Sequence, residues 1–425
     1  MAGGSSQLRV VPALVFWYRP AMSSLTLPRN VQFIYEEHLA RIEARSLGCA
    51  DWTRDEDNPW HARVHVNGTG PDVLNRAAYV ATLDGAPTVY EQLIRPAYQG
   101  GHFNRTRSVN QYLTHWIYPY RGKFHPQMVR ALLNILGVRS GSLVLDPYVG
   151  SGTTALEASL LGIDCVGVDV SPLCVLLTRV KTASVHAVDA IRARVLALLD
   201  EDALDPLDPS IARADDPVVA DFLQIARMVT LSDVSRRKRD GRASLRKNLR
   251  AMLESVEAHA TALDRFRIAP GAVSAVLGDS RALGAAGVED ASVDAVVTSP
   301  PYSIALDYAK NDEHALDALG VSLQALRREM TGVRGRGPSK KLALYNADLQ
   351  QMFREVARVL KPGAAAAFVI GNATVDRSEC TTTEHMGDWA VSAGLERERE
   401  IPKIVFGLYN VIQDEKILLF RKPSA

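Results

Sequence analysis

The residues Thr298, Ser299, Pro300, Pro301 and Tyr302 follow directly on the apolar run VDAVV, so two consecutive prolines stand at the end of a buried strand. Prolines lack amide donors and fix the backbone, and such a turn presents carbonyl acceptors. Ser299 adds a hydroxyl that can also accept, and Tyr302 offers a flat face on which a planar base can stack. Acceptors beside a stacking platform suit an amino group as the reacting partner. Taken alone, the same residues serve as well for a proline turn over a buried tyrosine.

A second constellation is DPYVGSGTT. Asp146 and Tyr148 precede Gly150, Gly152 and Thr153, and the glycines let the backbone approach a ligand at the start of a helix, where free amides and the dipole favour polar groups. Asp169 closes the next apolar run, followed by Val170, about twenty residues after the glycines, where a carboxylate accepts both hydroxyl protons of a ribose. A dinucleotide fingerprint needs a third glycine, and Ala155 stands at that position. In LGDS, Asp279 and Ser280 end another strand; Asp279 can accept from an adenine amino group or cap a helix.

These groups need a parallel sheet with strand ends on one side. MVRALLNILG reads as an amphipathic helix stopped by Gly137, SLVLD as a strand, ALEASLLG as a helix stopped by Gly162, and IDCVGVD as a strand. That is a βαβ unit. VSAVL, VDAVV and AAAAFVIG supply further strands, with a helix over DLQQMFREVARVL, and EREIPKIVFGLYN with EKILLFRK reads as a closing antiparallel pair. Between them, residues 184–270 have helical spacing and read as an insertion. Residues 1–105 show no dominant period and read as an accessory region with a flexible start. The remaining boundaries are 106–183 and 271–425, the two parts of the main domain.

On these motifs the chain resembles the bacterial amino-group DNA methyltransferases, which make N4-methylcytosine or N6-methyladenine. DPYVGSGTT is similar to their cofactor loop, GVDVSP to the ribose-binding segment, GDS to the adenine contact and SPPY to the catalytic turn. YPYRGKFHPQMVRALL, with Lys123 and Phe124, resembles the segment that closes over the methionine end of the cofactor. The resemblance implies an α/β, Rossmann-like seven-stranded sheet, mostly parallel with an antiparallel C-terminal strand. It implies S-adenosyl-L-methionine, no metal, and catalysis by Ser299, Pro300, Pro301 and Tyr302 on a base flipped from double-stranded DNA. Ser299 at the first motif position leans towards cytosine N4 over adenine N6. A companion restriction nuclease is a candidate partner. An RNA methyltransferase acting on guanine N2 or adenine N6 and a non-catalytic nucleic-acid-binding relative are the alternatives. A nicotinamide enzyme leaves SPPY without a purpose.

Net charge is only +1 over 425 residues, so nucleic-acid affinity must come from local patches. One candidate runs through Arg236, Arg237, Lys238 and Arg239; the other, glycine-rich and closer to the catalytic turn, carries Arg334, Arg336 and Lys340. Either can also be a solvated face. Asp307 and Tyr308 line the pocket or begin a helix. Cys49, Cys165, Cys174 and Cys380 lack zinc-type spacing, and His125 and His385 read as structural. A reducing cytoplasm fits so few cysteines. The apolar run at residues 10–18 is too short to span a bilayer, and no membrane partner is expected.

Overall fold

The computed structural model describes residues 22–67, 70–95, 109–201, 205–301, 308–371, 373–375, 378–380, 382–406 and 412–424. Its centre is a seven-stranded sheet of strand order β13-β14-β10-β9-β6-β7-β8. The strands are β6 (Leu143–Asp146), β7 (Asp164–Asp169), β8 (Val273–Leu277), β9 (Val293–Thr298), β10 (Leu360–Gly371), β13 (Glu396–Phe406) and β14 (Ile412–Arg421). β8, β7, β6, β9 and β10 run parallel, whereas β14 is antiparallel to both β10 and β13. The sheet is mostly parallel with an antiparallel C-terminal strand, as the motifs imply. β11 (Ala373–Val375) and β12 (Ser378–Cys380) pair separately beyond β10.

Five shorter strands form a second sheet, β2-β3-β1-β4-β5, from β1 (Ser23–Thr26), β2 (Cys49–Arg54), β3 (His61–Val66), β4 (Thr82–Leu83) and β5 (Ala86–Pro87). Together with α1 (Ile34–Ser46) it packs on α2 (Pro126–Ile135). One apolar core runs from Leu25, Leu39 and Tyr79 through Leu132 to Val144, Val297 and Val369 on the main sheet. Buried polar bonds reinforce the junction. Glu43 is fully buried and accepts from the amides of Ala78 (2.9 Å) and Tyr79 (2.8 Å) and from Asn134 Nδ2 (2.7 Å). Arg130 donates to Arg76 O at 2.9 Å and to Glu157 at 3.3 Å. Pairing of this quality is what makes buried charge tolerable.

The opposite face of the sheet is covered by α8 (Pro338–Val359), whose Leu349, Met352, Phe353 and Val356 pack on Val296, Phe368 and Phe420. This helix starts ten residues before the apolar stripe at Asp348. Gly337 at φ +76° and Pro338 at the first helical position set the start. Part of the basic, glycine-rich segment read from sequence is therefore helix: Lys340 lies in the first turn of α8.

The inserted segment is helical. α5 (Val188–Asp200), α6 (Pro217–Arg237) and α7 (Gly241–Arg265) enclose their own apolar core of Ile191, Phe222, Ile225, Leu249 and Met252. It continues into Leu173 and Leu177 of α4 (Pro172–Ala183), the helix after β7. α3 (Thr153–Leu160) is the crossover between β6 and β7. Among the described residues, no helix is long and apolar enough to cross a membrane.

Candidate active site

A cavity of about 450 Å³ opens beyond the carboxyl ends of β6, β7, β8 and β9. Asp146, Tyr148, Gly150, Thr153, Asp169, Val170, Asp279 and Ser280 line it, as do Lys123 and Phe124 from the segment before α2 and Ser299, Pro300 and Pro301 after β9. That gathers residues spread over 178 positions of sequence at one mouth, the place where open parallel sheets bind ligands. Tyr302 and Asp307 lie outside the described residues, and Tyr308 opens a short helix, Tyr308–Asn311.

The glycine turn divides its labour. Gly150, at φ +49°, lines the cavity and donates its amide to Asp169 Oδ2 at 3.0 Å. Gly152, at φ +79°, does not line it; a Cβ there would sit 2.9 Å from Thr178 Cα. Its lack of a side chain lets α3 close against α4, which corrects the expectation that both glycines admit a ligand. Lys181 on α4, fully buried, donates to Ser151 O at 2.7 Å and holds the loop from behind.

Asp169 Oδ1 accepts from the Ser171 amide at 2.9 Å, and the Val170 amide and Cys174 thiol also face the carboxylate. Burial pushes its carboxyl up. Asp146 Oδ1 accepts from the Tyr148 amide (3.1 Å) and from Thr298 Oγ1 (2.6 Å), and burial raises this carboxyl to about 6. Asp279 is gripped by Arg281, whose Nε lies 2.9 Å from both its oxygens and whose NH1 also reaches Asp348 at 3.0 Å. Asp279 is thus a fixed wall, its charge balanced. Lys123 Nζ donates to the carbonyls of Asn110 and His115, the latter at 2.7 Å, and burial lowers it to about 7. It braces the wall and gives up its proton more readily than an exposed lysine would.

Ser299 Oγ donates to Val369 O at 3.0 Å. A hydroxyl has one hydrogen, so towards any further partner Ser299 acts as an acceptor. Tyr345 of α8 donates to Pro301 O at 2.9 Å and pins the double-proline turn from below.

Tyr120 and Met128, from the YPYRGKFHPQMVRALL segment, line the cavity as well, whereas Met330, Thr331, Lys403 and Glu415, which line it too, carried no sequence signal. His125, read as structural, also lines the cavity, and burial with the facing lysines lowers its imidazole to about 3. Among the described residues, no group of His, Cys, Asp and Glu is placed to hold a metal ion. Cys49, Cys165 and Cys174 are buried free thiols.

The basic residues behave unequally. Arg236, Arg237, Lys238 and Arg239 are all exposed at the end of α6, but Arg237 (2.7 Å) and Arg239 (3.3 Å) are paired with Asp233. Arg236 exerts its charge on Asp312 and His314, on the helix that packs on α6 after the catalytic turn. Arg334 is tied to Asp348, whereas Arg336 and Lys340 are exposed.

Residues 84–177 match the family described as DNA methylase, the N6 and N4 amino-methylating enzymes. Over this span the chain matches the amino-group DNA methyltransferase family. The span contains the glycine turn and Asp169 and stops short of Ser299. Type II methyltransferase M.MjaII from Methanocaldococcus jannaschii is 42% identical over 67 residues, 16% of this chain and 12% of that protein. M.BsoBI from Geobacillus stearothermophilus is 41% identical over 64 residues, 15% of this chain and 12% of the other. A tRNA (guanine(10)-N2)-dimethyltransferase from Methanothermobacter thermautotrophicus is 36% identical over 69 residues, covering 16% and 19%. The match therefore spans less than a fifth of each relative's length.

Proposed function

We propose that the protein methylates an exocyclic amino nitrogen of a base flipped out of double-stranded DNA, cytosine N4 in preference to adenine N6. The observation that carries this is the commitment of the Ser299 hydrogen to Val369, which leaves only lone pairs facing the cavity, the polarity an amino group requires. S-adenosyl-L-methionine, when bound, supplies an electrophilic methyl group. The donor set fits it: Asp169 for the ribose hydroxyls, the wall at Asp279 and Ser280 for the adenine, and Lys123, Phe124 and the Gly150 turn for the methionine end.

The turn does the rest by orientation. Ser299 and the Pro300 carbonyl accept from the two amino hydrogens, which draws the nitrogen lone pair out of conjugation with the ring and aims it at the cofactor end. Tyr302 would supply the stacking face. Serine at this position supports cytosine over adenine.

Arg336, Lys340 and Arg236 are the residues proposed to meet DNA phosphates, with Arg237, Lys238 and Arg239 beside Arg236 and Arg334 beside Arg336. Lys340 supports this reading because it sits in the first turn of α8, where the helix dipole disfavours a cation unless something else requires it. A cytoplasmic setting and a companion nuclease belong to the same proposal.

Ser299→Ala removes the acceptor and keeps the fold, so methyl transfer to duplex DNA should drop about 10²-fold or more with cofactor affinity unchanged. Equal activity in Ser299→Ala would sink the assignment.

A further inference from the structure

Lys403 and Glu415 form an ion pair across the antiparallel strands β13 and β14, directly opposite each other in register. They are only 8% and 7% exposed, yet both line the cavity. Burying two charges costs more than placing two apolar residues of the same size there, so a buried pair at a cavity wall calls for a purpose other than stability. The N-terminal region completes its housing. Tyr35 of α1 lays its ring under Lys403, with Nζ 5.7 Å from the centroid, and Glu36 contributes its charge from the same helix. Beside the pair, His125 Nδ1 is buried with no hydrogen-bond partner among the described residues.

The sheet order fixes which part of the cavity this is. Asp169 and Asp279 follow β7 and β8 on one side of the catalytic turn after β9. Lys403 and Glu415 lie on the other side, beyond β10, where Glu415 pairs with Gly371. A group held at Ser299 therefore has the cofactor loop on one flank and the ion pair on the other. Ser299 follows β9 and reaches Val369 on β10, and three strand spacings, roughly 14 Å, separate β9 from β13, a span that the serine, one ring and the lysine side chain cover together.

We propose that Lys403, oriented by Glu415, reads the ring of the target base by donating to the unprotonated ring nitrogen adjacent to its amino group. Cytosine N3 and adenine N1 present such a lone pair on the Watson–Crick edge; guanine presents N1–H there, and its unprotonated N3 lies on the other flank of its amino group, away from a donor placed at that edge. This rests on the amino-methyltransferase reading above and adds the residue that selects the base.

The test uses the full chain, a duplex carrying the sequence that the wild-type protein methylates, and the same duplex with 3-deazacytosine at the target, or 1-deazaadenine where the product is N6-methyladenine. The variant is the neutral pair Lys403→Met with Glu415→Gln, and S-adenosyl-L-methionine affinity and melting temperature are followed in parallel. The wild type should lose about 10- to 100-fold in kcat/KM on the deaza duplex, the value of one charge-assisted hydrogen bond. The neutral variant should be slow on both duplexes and no longer distinguish them, with cofactor affinity intact. Undiminished discrimination by the variant would overturn the base-reading role while leaving the methyltransferase reading in place. A wild-type protein that methylates no DNA would overturn both.

Discussion

Thr298 Oγ1 donates a 2.6 Å hydrogen bond to Asp146 Oδ1, joining the end of the strand before the double-proline turn to the start of the glycine loop. The two residues are 152 positions apart in the chain and both are buried. Through this bond the loop that would hold the cofactor and the turn that would hold the base keep a fixed distance, which is what transfer between two bound groups demands.

Thr298→Val keeps the shape and deletes that donor. The buried Asp146 carboxyl keeps the Tyr148 amide and the Thr154 hydroxyl but loses its shortest donor, and its pKa should rise further above about 6. A loss of about 1–3 kcal/mol in stability is expected at pH 8, where the carboxylate would be ionised, and less at pH 5. Urea unfolding at the two pH values reads the difference.

Gly152 and Gly150 should separate cleanly. Gly152→Ala forces a left-handed alanine and a 2.9 Å approach to Thr178 Cα, a cost of about 2–4 kcal/mol that shifts α3 against α4. At Gly150 the nearest atom to an added Cβ is Tyr120 Cε1, 3.5 Å away, so Gly150→Ala should cost only the backbone penalty of about 1–2 kcal/mol. Thermal melting of both variants gives the ordering.

Four histidines set the acid limit, His314 among them, lowered to about 4 by burial. Burial lowers His115 and His125 to about 3 and His259 to about 4, from 6.5. The unfolded chain takes up protons near 6.5 that the folded chain refuses, so stability is retained above 6.5 and lost as pH falls towards 4. The slope contributed by each is at most about 1.4 kcal/mol per pH unit. Stability measured from pH 7.5 to 5 should decline, and His115→Gln should flatten the decline; a flat wild-type profile would contradict the burial of these rings.

Arg336→Ala and Lys340→Ala should each weaken duplex binding and reduce the slope of log affinity against log salt by about 1, whatever the DNA sequence. Filter binding at 50 to 200 mM salt tests this.

The parts of the site that were legible in the sequence are those written in consecutive residues. DPYVGSGTT, the strand ends at Asp169 and Asp279, and SPPY are local signals because strand, turn and helix start occupy adjacent positions. The cavity wall opposite them is assembled by register. Lys403 and Glu415 are 12 residues apart and meet only because β13 and β14 pair antiparallel, and nothing in EREIPKIVFG marks the lysine. The N-terminal sheet escaped for a different reason. Its strands are two to six residues long, with an irregularity between Ala50 and Thr53, too short to establish an alternating period. Its role comes from Glu43, Arg76 and Tyr35, which matter only once α1 and α2 are packed.

The most direct test of the central claim is transfer of radiolabelled methyl from S-adenosyl-L-methionine to unmethylated duplex DNA and, separately, to bulk RNA, followed by nucleoside analysis. The arrangement at Ser299 predicts label in DNA as N4-methylcytosine. Label in RNA alone, as N2-methylguanosine, would contradict both the DNA substrate and the preference for cytosine drawn from Ser299.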